Sequence, residues 1–336
     1  MRTEAKLFLA SIGLSALAAS AAGCGAAGAS AGSGSHKVDL VAYSTPQKAY
    51  DDLIAAFKKT PDGGNASFSE SFGASGAQSR AVLAGQPADV VEFSLEPDLT
   101  KLVKANLVPS DWNAGPHRGI VTDSVVVLVV RKGNPQHING WSDLVRPGIK
   151  VVTPNVASSG SAKWNLLAAY GAQLKLGKTP DDALAFVTDL LKHTVAQPDS
   201  GSKATAAFVG GTGDVLISYE NEAIAAKQAG ADVDYVAPPQ TILIENPIAV
   251  TTAAKDDATA TAFVQFLYTD AAQKIFAAHG YRPVVAADFD PTQFPKPAQL
   301  FTIDDLGGWS TVNTQFFDPT SGSITKIENS LGVSGG

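Results

Sequence analysis

The hydrophobic pattern changes its period several times along the chain. "VDLVAY" (38–43) is a nearly continuous apolar run and reads as a buried strand. "KAYDDLIAAFKK" (48–59) puts Ala49, Leu53, Ala56 and Phe57 on one helical face. "SFSESF" (67–72) alternates like a half-buried strand, and "SGAQSRAVLAG" (75–85) has the serine start and glycine stop of a helix. "ADVVEF" (88–93) returns to a strand. "DSVVVLVVRKG" (123–133) is β-branched throughout, which marks a central strand and not a helix. Further strands are expected at 150–154, 214–219, 234–238 and 247–252. Helices are expected at 161–173, 181–192, 202–209, 220–229, 256–269 and 271–279. From 291 the chain has little periodicity and many turn residues.

Alternating strands and helices imply an α/β protein with parallel, doubly wound sheets. The chain has 336 residues, enough for about two domains. The economical division is two lobes, 38–121 with 246–290, and 122–245. The strand near 123 makes the first crossing and "ENPIAV" (245–250) the return. Residues 291–336 wrap the surface or cross between the lobes.

The first residues have a different character. Arg2 and Lys6 precede an apolar stretch over 7–22 that is short and Ala/Ser-rich for a membrane span. The sequence "AAGC" then leads into "GAAGASAGSGS", a flexible tether over 24–37. This resembles a bacterial lipoprotein signal over 1–23, with Cys24 lipidated, although Ala21 stands where such signals usually carry leucine. The alternative is an ordinary secretory signal with an incidental cysteine. Cys24 is the sole cysteine, so no disulfide is possible within the chain. Either reading places the folded part outside the cytoplasmic membrane. The formal net charge is −7, and no Lys/Arg cluster appears, which argues against nucleic acid as a partner. A small anion is not excluded, because local dipoles hold it whatever the global charge.

Four junctions share one grammar. "AYSTPQKAY" places Ser44 and Thr45 between a strand and a helix. "SFGASGAQSR" places Gly73, Ala74, Ser75 and Gly76 there. "TPNVASSGSAKW" places Ser158, Ser159, Gly160 and Ser161 there, and "QPDSGSKATAAF" places Ser200, Gly201 and Ser202 there. The first turn of a helix has N–H groups without intrahelical partners and carries about half a positive charge. Small hydroxylated residues let an anion approach it closely. In open α/β sheets, ligands bind at such junctions. For any single loop, simple N-capping explains the same residues. Four loops spread over two lobes point instead to a shared cleft.

Other chemistries lack their motifs. A phosphate loop needs G-x-x-x-x-G-K-S/T, yet Lys163 follows Gly160 by three and precedes a tryptophan. "GGTGD" (210–214) has no lysine. The S-x-x-K of a serine–lysine nucleophile fails at Lys163, because the residue three before it is Gly160. G-x-S-x-G occurs at 28–32, in the tether, and at 332–336, and neither falls at a strand-to-helix elbow. The histidines, His36, His117, His137, His193 and His279, show no metal-ligand spacing. Lys163 is expected to be a solvated bystander. A secreted serine hydrolase is therefore the weaker reading. No catalytic residue, metal or cofactor is expected.

The stretches "FGASGAQSRAV", "TPNVASSGSAKWNLLAAYG", "PDSGSKATAAFV", "GDVLISYENEA" and "LFTIDDLGGW" together resemble the sulfate-binding proteins of bacterial ABC uptake systems, over about 43–327. The resemblance implies the two-lobed periplasmic-binding-protein fold (type II), with a buried oxyanion held by neutral donors in the interlobe cleft. It implies a monomer that delivers sulfate or thiosulfate to permease subunits in the membrane. It carries over an amide at Ser44, a hydroxyl at Ser75, consecutive donors at Ser159, Gly160 and Ser161, an amide at Ser202, and a side-chain donor at Tyr219. Two positions depart from the family pattern. Ser161 stands where glycine is usual, and Tyr219 where an indole is usual. Molybdate, tungstate or phosphate receptors of the same fold are the alternatives. Sulfate only accepts hydrogen bonds, whereas hydrogen phosphate needs an acceptor, so a donor-only site rejects phosphate. Glu92, at the end of a strand, is either such an acceptor or locally paired outside the pocket. Asp199 is expected to cap the helix after the fourth loop.

Overall fold

The computed structural model describes residues 36–285 and 291–332; Cys24, the leader and most of the tether lie outside them. The first elements are β1 (His36–Tyr43), α1 (Gln47–Phe57), β2 (Ala66–Gly73), α2 (Ser75–Leu83), β3 (Val90–Glu92) and α3 (Glu96–Lys104). Strand β4 (Ile120–Arg131) leads to β5 (Val151–Val152), α4 (Gly160–Lys175), α5 (Pro180–Lys192) and β6 (Thr194–Ala196). Then come α6 (Gly201–Val209), β7 (Val215–Tyr219), α7 (Glu220–Gln228), β8 (Val233–Val236) and β9 (Gln240–Val250). The chain ends with α8 (Ala258–Leu267), α9 (Asp270–Ala278), β10 (Gln299–Phe301), α10 (Gly308–Val312) and α11 (Ser323–Ser330).

The hydrophobic pattern does not announce α3. Its signals are electrostatic: Glu96 and Asp98 in the first turn, Lys101 and Lys104 in the last, each matched to the helix dipole. Leu99 and Leu102 bury its inner face.

Strands β2, β1 and β3 are parallel, as expected, with Leu40 opposite both Glu70 and Val90. Strands β6, β5 and β7 form a second parallel set. The sheets are nonetheless mixed and not simply parallel. The long strands β4 and β9 pair antiparallel, with Val125 opposite Leu243. Each then runs into a parallel set from the other side. β9 pairs β3 (Val90 with Val250), and β4 pairs β7 (Leu128 with Ile217) and β8. A strand that leaves one lobe and a strand that returns beside it must run in opposite directions, so the crossing itself imposes the antiparallel pairs.

One core lies on the β1 side and joins Leu40, Leu53, Phe57, Phe263 and Phe276. The largest core, on the β7 side, joins Val126, Trp164, Leu167 and Ile217. Tyr43, at the end of β1, and Leu95, just after β3, also belong to this second core, so the two cores are linked by apolar contact as well as by strands. The aperiodic tail supplies Phe301, Trp309 and Phe316 to the same core. Trp309 meets Trp164 edge-on, with centroids 4.7 Å apart. Gly171, in the middle of α4, lies directly under the Phe301 ring, where a Cβ would collide with it.

Candidate oxyanion site

The four junctions lie where the pattern puts them. Ser44 follows β1, and Ser75 is the first residue of α2. Ser159 is the N-cap of α4, whose first two residues are Gly160 and Ser161. Ser202 is the second residue of α6, and Tyr219 ends β7 at the start of α7. If these serines served only their own helices, their oxygens would accept first-turn amides. In three of the four junctions they do not. The N-caps of α1, α2 and α4 (Pro46, Ala74 and Ser159) make no side-chain capping bond. The α6 cap does: Ser200 Oγ accepts from the Lys203 amide at 3.3 Å. The expected cap, Asp199, is instead exposed and pairs with Lys203 Nζ at 2.7 Å. Ser200 stands one residue nearer the helix in extended conformation, with its oxygen aimed at the third amide.

Direct contacts join three of these helix starts. The Gly76 amide, in α2, donates to the Ser158 carbonyl at 3.0 Å. Ser158 Oγ donates to the Asp199 carbonyl at 2.8 Å, which ties the third loop to the fourth. Ser44 and Ser202 line one cavity of about 640 Å³, together with Thr45, Asn221, Glu222 and Tyr281. Ser159 Oγ and Ser161 Oγ are 3.0 Å apart and share a hydrogen bond. The hydroxyl of Ser161, unusual for such a loop, therefore meets its neighbour across the helix start.

Two predicted side-chain donors are engaged elsewhere. Ser75 O–H donates to Asp98 Oδ2 at 2.7 Å, and its oxygen accepts the Ser94 amide at 3.1 Å. Tyr219 OH is 2.6 Å from Ser94 Oγ. Ser94 thus touches two of the predicted residues, and the sequence reading does not include it. Its signal was present, since it stands between β3 and α3, a fifth strand-to-helix junction.

The charged groups around these loops are arranged by burial. Glu92 is fully buried, and one of its oxygens accepts the Tyr50 phenol. Desolvation pushes its carboxyl up to about 8 against the lowering effect of that bond. It is not among the residues that line the cavity of Ser44 and Ser202. Glu222 does line that cavity. Burial raises it to about 7, opposed by hydrogen bonds from Ser218 at 2.6 Å and Thr205 at 3.4 Å. Lys163 departs from the solvated state expected of it. It is half-buried, with Nζ 5.0 Å from the centre of the Phe317 ring, and desolvation lowers its pKa. The tail, whose packing has no sequence period, covers it.

A family model described as bacterial extracellular solute-binding protein matches residues 38–282. A sulfate-binding protein of Synechococcus elongatus is 41% identical over 312 residues, which cover 89% of this chain and 89% of that one. The chain belongs to the sulfate-binding protein family. A thiosulfate-binding protein of Escherichia coli is 35% identical over 80% of this chain and 83% of its own. Among solved structures, the sulfate-binding protein SubI from Mycobacterium tuberculosis matches with a TM-score of 0.81 and 51% identity, covering 84% of this chain and 100% of that one. A periplasmic thiamin binding protein shares the fold at a TM-score of 0.66 and 18% identity, over 89% of this chain and 96% of its own. As a sulfate-binding family member the chain has the two-lobed periplasmic-binding-protein fold. Its relatives are extracellular solute-binding proteins.

Proposed function

We propose that this chain captures sulfate, with thiosulfate as a second oxyanion, and delivers it as a monomer to the permease of an ABC importer. The observation that carries this reading is the set of helix starts at α1, α2 and α4 that have serine-rich approaches and no side-chain cap. A bare dianion is very costly to bury unless many hydrogen bonds replace its water. Amides at several helix ends supply them without importing a counter-charge. The donors are Ser44, Ser75, Ser159, Gly160, Ser161, Ser202 and Tyr219. Ser75 donates only when its hydrogen leaves Asp98.

The working division is the one the crossing strands suggest, 38–121 with 246–290 against 122–245. The segment 291–336 wraps or crosses between the lobes in this division. Closure of the lobes over the anion is the mechanism. Capture and release involve no bond chemistry, so the role is not enzymatic. Lipid on Cys24, with 24–37 as the tether, holds the chain at the membrane surface.

Residues 35–336 form one compact unit, which is the piece to titrate by calorimetry with sulfate, thiosulfate, molybdate and phosphate. Sulfate binding at roughly micromolar levels or tighter is expected; its absence sinks the proposal. Phosphate binding tighter than sulfate would assign the cavity an acceptor, and Glu222 is the carboxyl in place. The anchor is tested separately. Labelled palmitate is expected to enter the full chain in cells and to be lost in Cys24→Ala; a chain that takes no label has no lipid at Cys24.

A further inference from the structure

Ser94 has an environment that its role in the fold does not require. It stands two residues after β3 and is 1% exposed. Its amide donates to Ser75 Oγ at 3.1 Å. Its carbonyl accepts the Trp164 indole N–H at 2.8 Å and the Asn246 side-chain amide at 3.1 Å. The backbone is thus fixed from three sides, by residues of α2, α4 and β9. The hydroxyl that this backbone carries lies against the uncapped start of α4. A Cβ built on Gly160 would be only 2.6 Å from Ser94 Oγ, so glycine is required there for the hydroxyl to stand where it does.

The second observation is a count of hydrogens. Ser94 Oγ and Tyr219 OH are 2.6 Å apart, both buried. Each oxygen carries one hydrogen. One hydrogen lies between the two oxygens, and the other is left to serve a third group. Burying a hydroxyl hydrogen without an acceptor is costly. An oxyanion at the α4 start would be that acceptor.

We propose that Ser94 is an oxyanion-binding residue: Tyr219 O–H donates into Ser94 Oγ, and Ser94 O–H donates to the anion seated at the start of α4. The phenol is the more acidic hydroxyl, which favours this direction. The inference rests on the reading of α4 as part of the anion cradle. It replaces direct donation by Tyr219 and explains how a phenol serves where an indole is usual: Tyr219 acts through Ser94, and the pair spans the distance together. Ser94 belongs to the first lobe and Tyr219 to the second.

The test is calorimetric titration of residues 35–336 with sulfate for wild type, Ser94→Ala, Ser94→Cys and Tyr219→Phe, with thermal unfolding in the absence of sulfate. Ser94→Ala is expected to weaken sulfate binding by about ten- to a hundredfold, the range of a hydrogen bond to a charged group. Ser94→Cys keeps the volume with a weak donor and should lose roughly tenfold or more; it decides the matter if the alanine variant does not fold. Tyr219→Phe should cost less than either, because Ser94 keeps its own hydrogen. Ser94 variants that bind within threefold of wild type overturn the proposal. So does a Tyr219→Phe loss larger than that of Ser94→Ala, which would make the phenol itself the donor. A wild-type chain that binds no sulfate overturns the anion-site reading, and this inference with it.

Discussion

Ser159→Asp is expected to abolish sulfate binding and to leave the fold intact. Ser159 is buried at the N-cap of α4, and its hydroxyl meets that of Ser161 at 3.0 Å. It makes no capping bond, so the first amides of α4 are open to whatever negative charge arrives. Aspartate is among the best N-cap residues and is favoured by the helix dipole. Its carboxylate would take up the amides intended for the anion, and then repel a dianion a few ångströms away. At an effective dielectric constant of 20, each unit-charge pair 4 Å apart costs about 4 kcal/mol, or roughly a thousandfold in affinity. Calorimetry should therefore detect no sulfate binding, while the thermal midpoint without ligand stays within a few degrees of wild type. Sulfate affinity unchanged by Ser159→Asp would show that this loop is not part of the site.

Gly171→Val has the opposite signature, a large loss of stability with no change to the anion loops. Position 171 faces the Phe301 ring, with no room for a Cβ. Helix propensity alone would favour valine over glycine, so any destabilisation comes from packing. Overpacking on this scale costs about 3 kcal/mol. In a chain of this size that lowers the thermal midpoint by roughly 5 °C. The double variant Gly171→Val with Phe301→Ala should lose less than the sum of the two single losses, because the ring that valine displaces is gone. Additive losses would mean the two residues are not in contact.

Most of the fold was legible because its apolar residues repeat. The runs at 38–43 and 123–133 became β1 and β4, and the amphipathic stretch at 48–59 became α1. What the pattern missed had no period to show. Helix α3 opens with Glu96, Pro97 and Asp98 and is signalled by charge. The tail buries Phe301, Trp309 and Phe316 one at a time, from short elements separated by turns. The four serine-rich strand-to-helix loops could be read because their serines precede strong helices. Ser94 escaped because Leu95, and not a serine, occupies the N-cap position of α3. The environments of Glu92 and Lys163 depend on which distant residues cover them, Tyr50 in one case and Phe317 in the other. A linear pattern holds no record of those partners.

The two crossing strands also set an order of events during synthesis. The sheet begun by β1 is completed on one side by Ile248, Ala249 and Val250, which pair with β3. The second core waits longer still, for Phe301 and Trp309. Neither lobe can close from the residues that begin it, so long-range contacts must form before either is stable. For a member of an extracellular solute-binding family, the consequence is that stability depends on contacts between the beginning and the end of the chain.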